Sequence, residues 1–448
     1  MSGPISLALL PRTATVTDAG RLVVGGCDVA ELARGFGTPL VVYDEMELRA
    51  RCREYAAAFG AGRVAYASKA FLCQAMARLV NEEGLSLDVA TGGELYIALT
   101  AGFPAHRLVF HGNNKSDDEL CRALEAGVGR IVVDSFDEMD RIERLVSDEG
   151  HEPPAVLIRV TPDVEAGDHG HIQTGMHDSK FGFAVRGGAA LDAARRAAES
   201  ATMRFLGVHA HIGSQVLSLD AYAQSADVVA VVLAEIEAAT GDPIEEVNLG
   251  GGLGIAYLSD DDPPSIAEYA TALKTGFARA CEARGVSRDP HIVVEPGRSI
   301  AGPAGFTLYR VGTIKEVDGV RTYAAVDGGM SDNPRPSMYG ARYEAFLPDR
   351  VTAARPRVVT VAGKHCEQGD ILILDASVPD DLAVGDVLAT PSTGAYAYSM
   401  ASNYNAQTRP AVLFVRDGEA RVVVRRETLD DLLHLDAAPS AQVGDSRP

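Results

Sequence analysis

The 448-residue chain carries 62 acidic and 41 basic side chains, a formal charge of −21 that repels nucleic acid and anionic membrane surfaces. With 46% hydrophobic and 23% charged residues it has the make-up of an ordinary globular protein with room for two or three cores. "MSGPISLALLPRTATV" lacks a basic n-region and a long apolar run, and no later stretch reaches 18 uninterrupted apolar residues, so a cytoplasmic protein without membrane attachment is expected. The six cysteines, Cys27, Cys52, Cys73, Cys121, Cys281 and Cys366, form no C-x-x-C pair, which argues against a zinc knuckle or a disulfide framework. A small-molecule enzyme fits these limits.

In chain order, residues 1–15 read as disordered, and "RLVVGG" and "PLVVYD" follow as strands. From residue 63 onward, eight β-branched runs recur with amphipathic stretches between them: "RVAYAS", "LSLDVA", "RLVFHG", "RIVVDS", "AVLIRVT", "LGVHAHIG", "EEVNLGG" and "HIVVEPG". The intervening "SDDELCRALEAG" opens on Ser116 as a helix cap, with Glu119 placed to close a capping box. Eight β/α units in roughly 250 residues predict a (β/α)8 TIM-type barrel, with a doubly wound sheet as the rival reading. After about residue 305 the runs follow one another without helices: "FTLYRVGTIKEV", "RTYAAVDGG", "PRVVTVAG", "DILILD", "AVLFVRDG" and "ARVVVRRE". The expected organisation is therefore residues 1–44 as N-terminal strands that complete a β domain, 45–304 as the barrel, 305–435 as a C-terminal β-sandwich or β-barrel domain, and 436–448 as a disordered tail.

A barrel of this kind places its site at the C-terminal ends of the strands. The polar residues there are Lys69, Asp88 with Glu94, His111 with Asn113, Arg159, His209 with His211 and Ser214, the glycines Gly250, Gly251 and Gly252, and Glu295 with Arg298. Singly each is a weak signal, since a lone histidine on an apolar strand is commonly a core residue and a lone glycine run a turn. The glycines admit an anion close to backbone N–H groups, with a helix N-terminus expected directly after them, and strands seven and eight are where barrels hold phosphate. A Rossmann fingerprint would follow the first strand of its unit, whereas this run follows the seventh. A lysine facing a phosphorylated ligand suits an aldehyde cofactor, and the phosphorylated aldehyde is pyridoxal 5'-phosphate.

The segments "YASKA", "LDVATGGEL", "FHGNNKS", "HIGSQ", "NLGGGLG", "VEPGRS", "MSDNPRPSMYGARY", "AGKHCEQGD" and "GAYAYSMASNYN" resemble the barrel-type pyridoxal phosphate decarboxylases of alanine racemase-like fold, most closely the diaminopimelate decarboxylase family, over nearly the whole chain. The resemblance implies that Lys69 bonds the cofactor aldehyde and that His211 stacks on its ring. It implies also that Asp88, Ser214, Gly250, Gly251, Gly252, Gly297, Arg298 and Tyr396 surround the cofactor. Glu295 would hold the ring nitrogen protonated, which favours a decarboxylase over the racemases, where an arginine stands at that place.

Cys366 is implied as the proton donor, reaching the site of a partner subunit in a homodimer with shared sites. Arg298, Arg335, Tyr339, Glu367 and Tyr396 are implied as substrate contacts, with arginines suited to a distal carboxylate. The implied reaction is decarboxylation of meso-2,6-diaminopimelate to L-lysine and CO2. Gln368 stands where the family pattern has serine. That departure leaves open a decarboxylase for another amino acid, and a barrel-only pyridoxal phosphate carrier is a third reading. No metal is implied.

Overall fold

Eight parallel strands, Ala65–Ala67, Ser86–Val89, Leu108–Phe110, Arg130–Val133, Ala155–Thr161, Arg204–Ala210, Glu246–Asn248 and His291–Val293, pair in sequence order. Val64 bridges Val294 in parallel and the Ala65 N–H donates to the Val294 carbonyl at 2.9 Å, so strand eight returns to strand one and the barrel closes. The computed structural model describes residues 3–162, 179–287 and 290–437. Each barrel strand falls on one of the eight sequence runs. Ala155–Thr161 is buried along its whole length, as a parallel strand covered on both faces must be. Ala65, Val109, Val132, Ala155, Leu157 and Leu206 form the apolar cluster inside the barrel; Arg159 shares the side of Leu157 by the two-residue period of the strand, one step nearer the C-terminal rim.

The helices between the strands are closed by their own caps. Ser116 accepts from the Glu119 N–H at 3.2 Å while Glu119 accepts from the Ser116 N–H at 2.9 Å, which fixes the start of Asp117–Ala126 just beyond strand three. Ser265 closes the same reciprocal box with Glu268 at Ile266–Arg284, and Ser135 caps Phe136–Glu149 by accepting from the Glu138 N–H.

Past the barrel, the 13-residue strand Gly305–Val317 becomes the spine of a second sheet. Its order is Ile371–Val378, Arg357–Ala362, Arg321–Val326, Gly305–Val317, Leu40–Asp44, Ala411–Arg416 and Glu419–Val424, with Val387–Thr390 also paired to Gly305–Val317. Leu40–Asp44 runs antiparallel to Gly305–Val317 and parallel to Ala411–Arg416, so an N-terminal strand completes the C-terminal β domain from within. All five of its residues are buried. The other N-terminal run takes a different place: Leu22–Val24 sits in a separate sheet with Thr15–Val16 and Cys27–Asp28, and packs into a core with Leu40, Val42, Phe306 and Leu413.

That placement corrects one expectation, and the N-terminus corrects another. Residues 3–15 are not loose: Ile5, Leu9 and Leu10 are buried in that same core, and Arg12 pairs with the buried Glu47 at 2.6 Å. Composition cannot register three apolar side chains that find one groove. The strand Val387–Thr390 is absent from the sequence reading because four residues after a charged turn make no visible period. The proposed C-terminal tail lies, from residue 438, outside the described residues. Among the described residues no helix is long and apolar enough to cross a membrane.

Candidate active site

Strand one ends at Ala67, and a single helical turn, Ser68–Ala70, carries Lys69 off the barrel rim. The turn is pinned from the β domain. The Ala70 carbonyl accepts from the Tyr396 N–H at 2.9 Å and from the Ser399 hydroxyl at 3.1 Å. Lys69 thereby faces a cavity of about 700 Å³ lined also by His111, Arg159, His209, His211, Ser214, Tyr257, Glu295, Arg298, Arg335, Tyr339 and Tyr396. Burial disfavours the ammonium of Lys69, but the negative potential of Asp88, Tyr396 and Glu295 outweighs it and raises the lysine pKa above its ordinary value.

Glu295 lies just past strand eight and is 6% exposed. Its Oε1 accepts from Asn248 Nδ2 at 2.6 Å and meets His111 Nε2 at 2.8 Å; its Oε2 meets His209 Nε2 at 3.1 Å. These groups come from the ends of strands three, six and seven, so the barrel itself assembles the cluster. Burial pushes the carboxyl up, yet the two histidines and their hydrogen bonds carry it well below the usual range. Asp88, 2% exposed, meets His111 Nε2 only at 3.9 Å, and burial raises its pKa to about 6.

His209 and His211 take different parts. His209 is 1% exposed and committed to Glu295, whereas His211 lies just past the strand and its Nδ1 accepts from the Gly251 N–H at 3.2 Å, leaving the ring on the cavity wall beside Lys69. Burial and the positive charges of Lys69 and Arg159 keep His211 neutral by lowering its pKa far below the imidazole value.

Two buried guanidinium groups complete the wall. Arg298 donates from Nε and Nη2 to Ser214 Oγ at 3.2 and 2.8 Å and from Nη1 to the Tyr257 hydroxyl, and lies 4.8 Å from the Tyr396 ring centroid. Arg335, 6% exposed, lies 4.5 Å from the Tyr257 ring centroid and donates to the Tyr343 hydroxyl. Among the described residues neither arginine has a carboxylate partner. Tyr257 and Tyr343 were missed in the sequence because they follow no strand end; Tyr343 beside Arg342 offers a faint signal, and Tyr257 offers none.

A smaller void adjoins the cavity. Lys69, His211, Ser214, Glu295, Arg298 and Tyr396 line both, and Gly251, Gly252 and Gly297 line the smaller one. A Cβ on Gly251 would lie 2.1 Å from the Glu295 carbonyl oxygen and one on Gly252 2.5 Å from that of Gly213, so the tips of strands six to eight close up only around glycine. Gly250 lines neither void; with φ 65° it turns the chain and donates its N–H to Asn248 Oδ1. The helix expected directly after the glycines begins only at Ile266, beyond Pro263 and Pro264, and the nearby helical turn is Arg298–Ala301 after Gly297.

Several expected site residues lie away from the cavity. Asp88 sits behind it, and Glu94 bends back to accept from the Ala90 N–H at 2.6 Å as a helix cap. Cys366 and Glu367 are exposed on a loop of the β domain and do not line the cavity of their own chain. The loop is nonetheless built: the Cys366 N–H donates to Asn405 Oδ1 at 2.9 Å, and Asp370 accepts from His365 Nδ1 at 2.9 Å.

The pyridoxal binding domain of the pyridoxal-dependent decarboxylases matches residues 45–302. The chain is 49% identical to the diaminopimelate decarboxylase of Mycobacterium tuberculosis over 435 residues, covering 95% of this chain and 97% of that one. The chain belongs to the diaminopimelate decarboxylases. It is 48% identical to that of Bacillus subtilis, covering 95% and 98% of the two chains. The M. jannaschii diaminopimelate decarboxylase in complex with L-lysine superposes with a TM-score of 0.88 at 35% identity, over 96% of this chain and 98% of that one. As in this family, the chain is a pyridoxal phosphate-dependent lyase. The donor set fits that cofactor: an amine for its aldehyde in Lys69, a carboxylate for its ring nitrogen in Glu295, and Ser214, Arg298 and glycine backbone around a small void for its phosphate.

Proposed function

We propose that this diaminopimelate decarboxylase acts on meso-2,6-diaminopimelate, releasing CO2 and L-lysine. The observation that carries the reading is the buried Arg335, which faces the cavity without a carboxylate partner among the described residues, while Arg298 is turned to Ser214 at the phosphate end. A second amino-acid head on the substrate supplies that carboxylate; ornithine and lysine do not. Relatives named diaminopimelate decarboxylase support the same substrate.

Pyridoxal phosphate, when bound, supplies the electron sink that stabilises the carbanion left by loss of CO2. The chain's own residues bind and orient. Lys69 fixes the cofactor aldehyde and His211 covers the ring. Ser214, Gly251, Gly252, Gly297 and Arg298 hold the phosphate end. Glu295 stays ionised and so keeps a proton on the ring nitrogen facing it. Arg335, held by Tyr343, positions the distal head with Tyr339 and Tyr396, and the aromatic wall of Tyr257 excludes water from it.

Cys366 supplies the proton to the reacting carbon from the partner subunit, and Glu367 of the same loop takes the distal ammonium. Exposure of both side chains on an ordered loop, outside their own chain's cavity, supports a homodimer with shared sites, in which the loop is completed by the second copy. We place the enzyme in the cytoplasm, which suits its six free cysteines. Direct measurement of CO2 release from meso-diaminopimelate, beside ornithine, arginine and D-lysine, tests the reading. Turnover of any of the three at a kcat/KM equal to that of diaminopimelate overturns it.

A further inference from the structure

We infer that His111 and His209 are positioning residues that act through Glu295: each presents its Nε2 to the carboxylate, His209 as a neutral imidazole that donates its Nε2–H, and together they hold Glu295 ionised toward the cavity. The inference rests on the reading that Glu295 serves the cofactor ring nitrogen.

The geometry comes from three strand ends converging on one carboxylate. Oε1 takes two contacts, from Asn248 at 2.6 Å and His111 at 2.8 Å, and Oε2 takes one, from His209 at 3.1 Å. A carboxylate has about four acceptor sites, so one on Oε2 is left for a donor in the cavity that Glu295 lines. Asn248 cannot be reversed to present its oxygen, because its Oδ1 already accepts from the Gly250 N–H at 2.9 Å. The amide must therefore donate to Glu295. His209 Nδ1 is buried without a partner among the described residues. An orphaned imidazolium N–H would be far costlier than an orphaned lone pair, which places the proton on Nε2, toward Glu295. The two rings meet edge to face at 4.8 Å, an arrangement poor for two like charges.

The other groups facing Glu295 are Lys69 beyond strand one, Asp88 on strand two, Arg159 on strand five and Tyr269 on the helix Ile266–Arg284. Asp88 is the contrasting case. It is equally buried and also lies near His111, but meets that ring only at 3.9 Å and has no contact with His209, and burial raises its pKa where the two histidines lower that of Glu295.

The test uses cofactor-loaded enzyme. His111→Phe and His209→Phe keep a ring and remove the donor; His111→Gln and His209→Gln restore an N–H. Loading is checked by absorption and folding by thermal denaturation. In each Phe variant, the acid limb of the kcat profile and the pH at which the bound cofactor's spectrum changes should both move up by about one unit or more, with little change in KM. Both should return toward wild type in the Gln variants. Unmoved titrations in folded, loaded Phe variants overturn the inference. Should those variants fail to fold, 15N NMR of the wild-type His209 imidazole decides: a neutral Nε2–H tautomer between about pH 6 and 8 supports it, and an imidazolium at that position overturns it. Glu295→Gln separates the underlying reading. Wild-type turnover in that variant sinks the role of Glu295 itself, whereas an impaired Glu295→Gln beside unmoved Phe variants sinks only the role of the histidines.

Discussion

The backbone N–H of Tyr396 donates to the carbonyl of Ala70 at 2.9 Å, which ties the β domain to the turn that carries Lys69. The position of the turn therefore depends on Ala70 and on the φ of 58° at Tyr396, not on the lysine side chain. Lys69→Ala should consequently fold with an unchanged Tm while losing the visible absorption of lysine-bound cofactor and nearly all turnover. Retention of that absorption band in the purified variant would remove Lys69 from its role.

Among the described residues the Arg335 guanidinium contacts the rings of Tyr257 and Tyr343, and aromatic rings lend a guanidinium modest stabilisation. Its full charge is left for the substrate. Arg335→Ala should cost ~2 to 4 kcal/mol of transition-state binding to meso-diaminopimelate, a fall in kcat/KM of about 30-fold or more, expressed mainly in KM. Slow turnover of lysine, which has no distal carboxylate, should change little. An equal loss on both substrates would make Arg335 a structural residue.

The residues most legible in the sequence were those that end strands, because the β/α period fixes where a strand stops and hence which side chains reach the rim. Lys69, His211, Ser214, Glu295 and Arg298 were found that way, and the structure brings them to one cavity. What local spacing could not carry is pairing across the barrel. His111 meets Glu295 over 184 residues and Asn248 meets it over 47, so both read singly as ordinary core polar groups. Tyr257 and Tyr343 belong to loops, where no period places a side chain. At residues 3–15 the composition misled for the opposite reason: burial there comes from a distant surface that accepts Ile5, Leu9 and Leu10.

Lys115, 1% exposed, illustrates a buried pair with a structural task. Its Nζ donates to the carbonyls of Gly112 at 2.9 Å and Val132 at 2.7 Å and to Glu138 Oε1 at 2.6 Å, joining the loop after strand three to strand four and the helix that follows it. Removing one charge strands the other in the interior. Lys115→Met and Glu138→Leu should each lower stability by about 3–5 kcal/mol in chemical denaturation, and the double variant that combines them by less than the sum of the two single losses. Additive losses would show that the two charges are not coupled.

The shared site proposed for the homodimer has a consequence that no single variant reveals. If each site takes Lys69 from one subunit and Cys366 from its partner, homodimers of Lys69→Ala and of Cys366→Ala are both strongly impaired. A mixed dimer differs, because one of its sites collects both defects and the other neither. Dissociating and re-associating equal amounts should make about half the dimers mixed, each with one intact site of two, so up to roughly 25% of wild-type activity should return. The exposure of Cys366 and its fixation by Asn405 allow this without refolding of either chain. Were both residues supplied by one chain, every site in the mixture would carry a defect and no activity would reappear. That result, with mixed dimers verified by native mass spectrometry, would return Cys366 to the site of its own chain and overturn the shared arrangement.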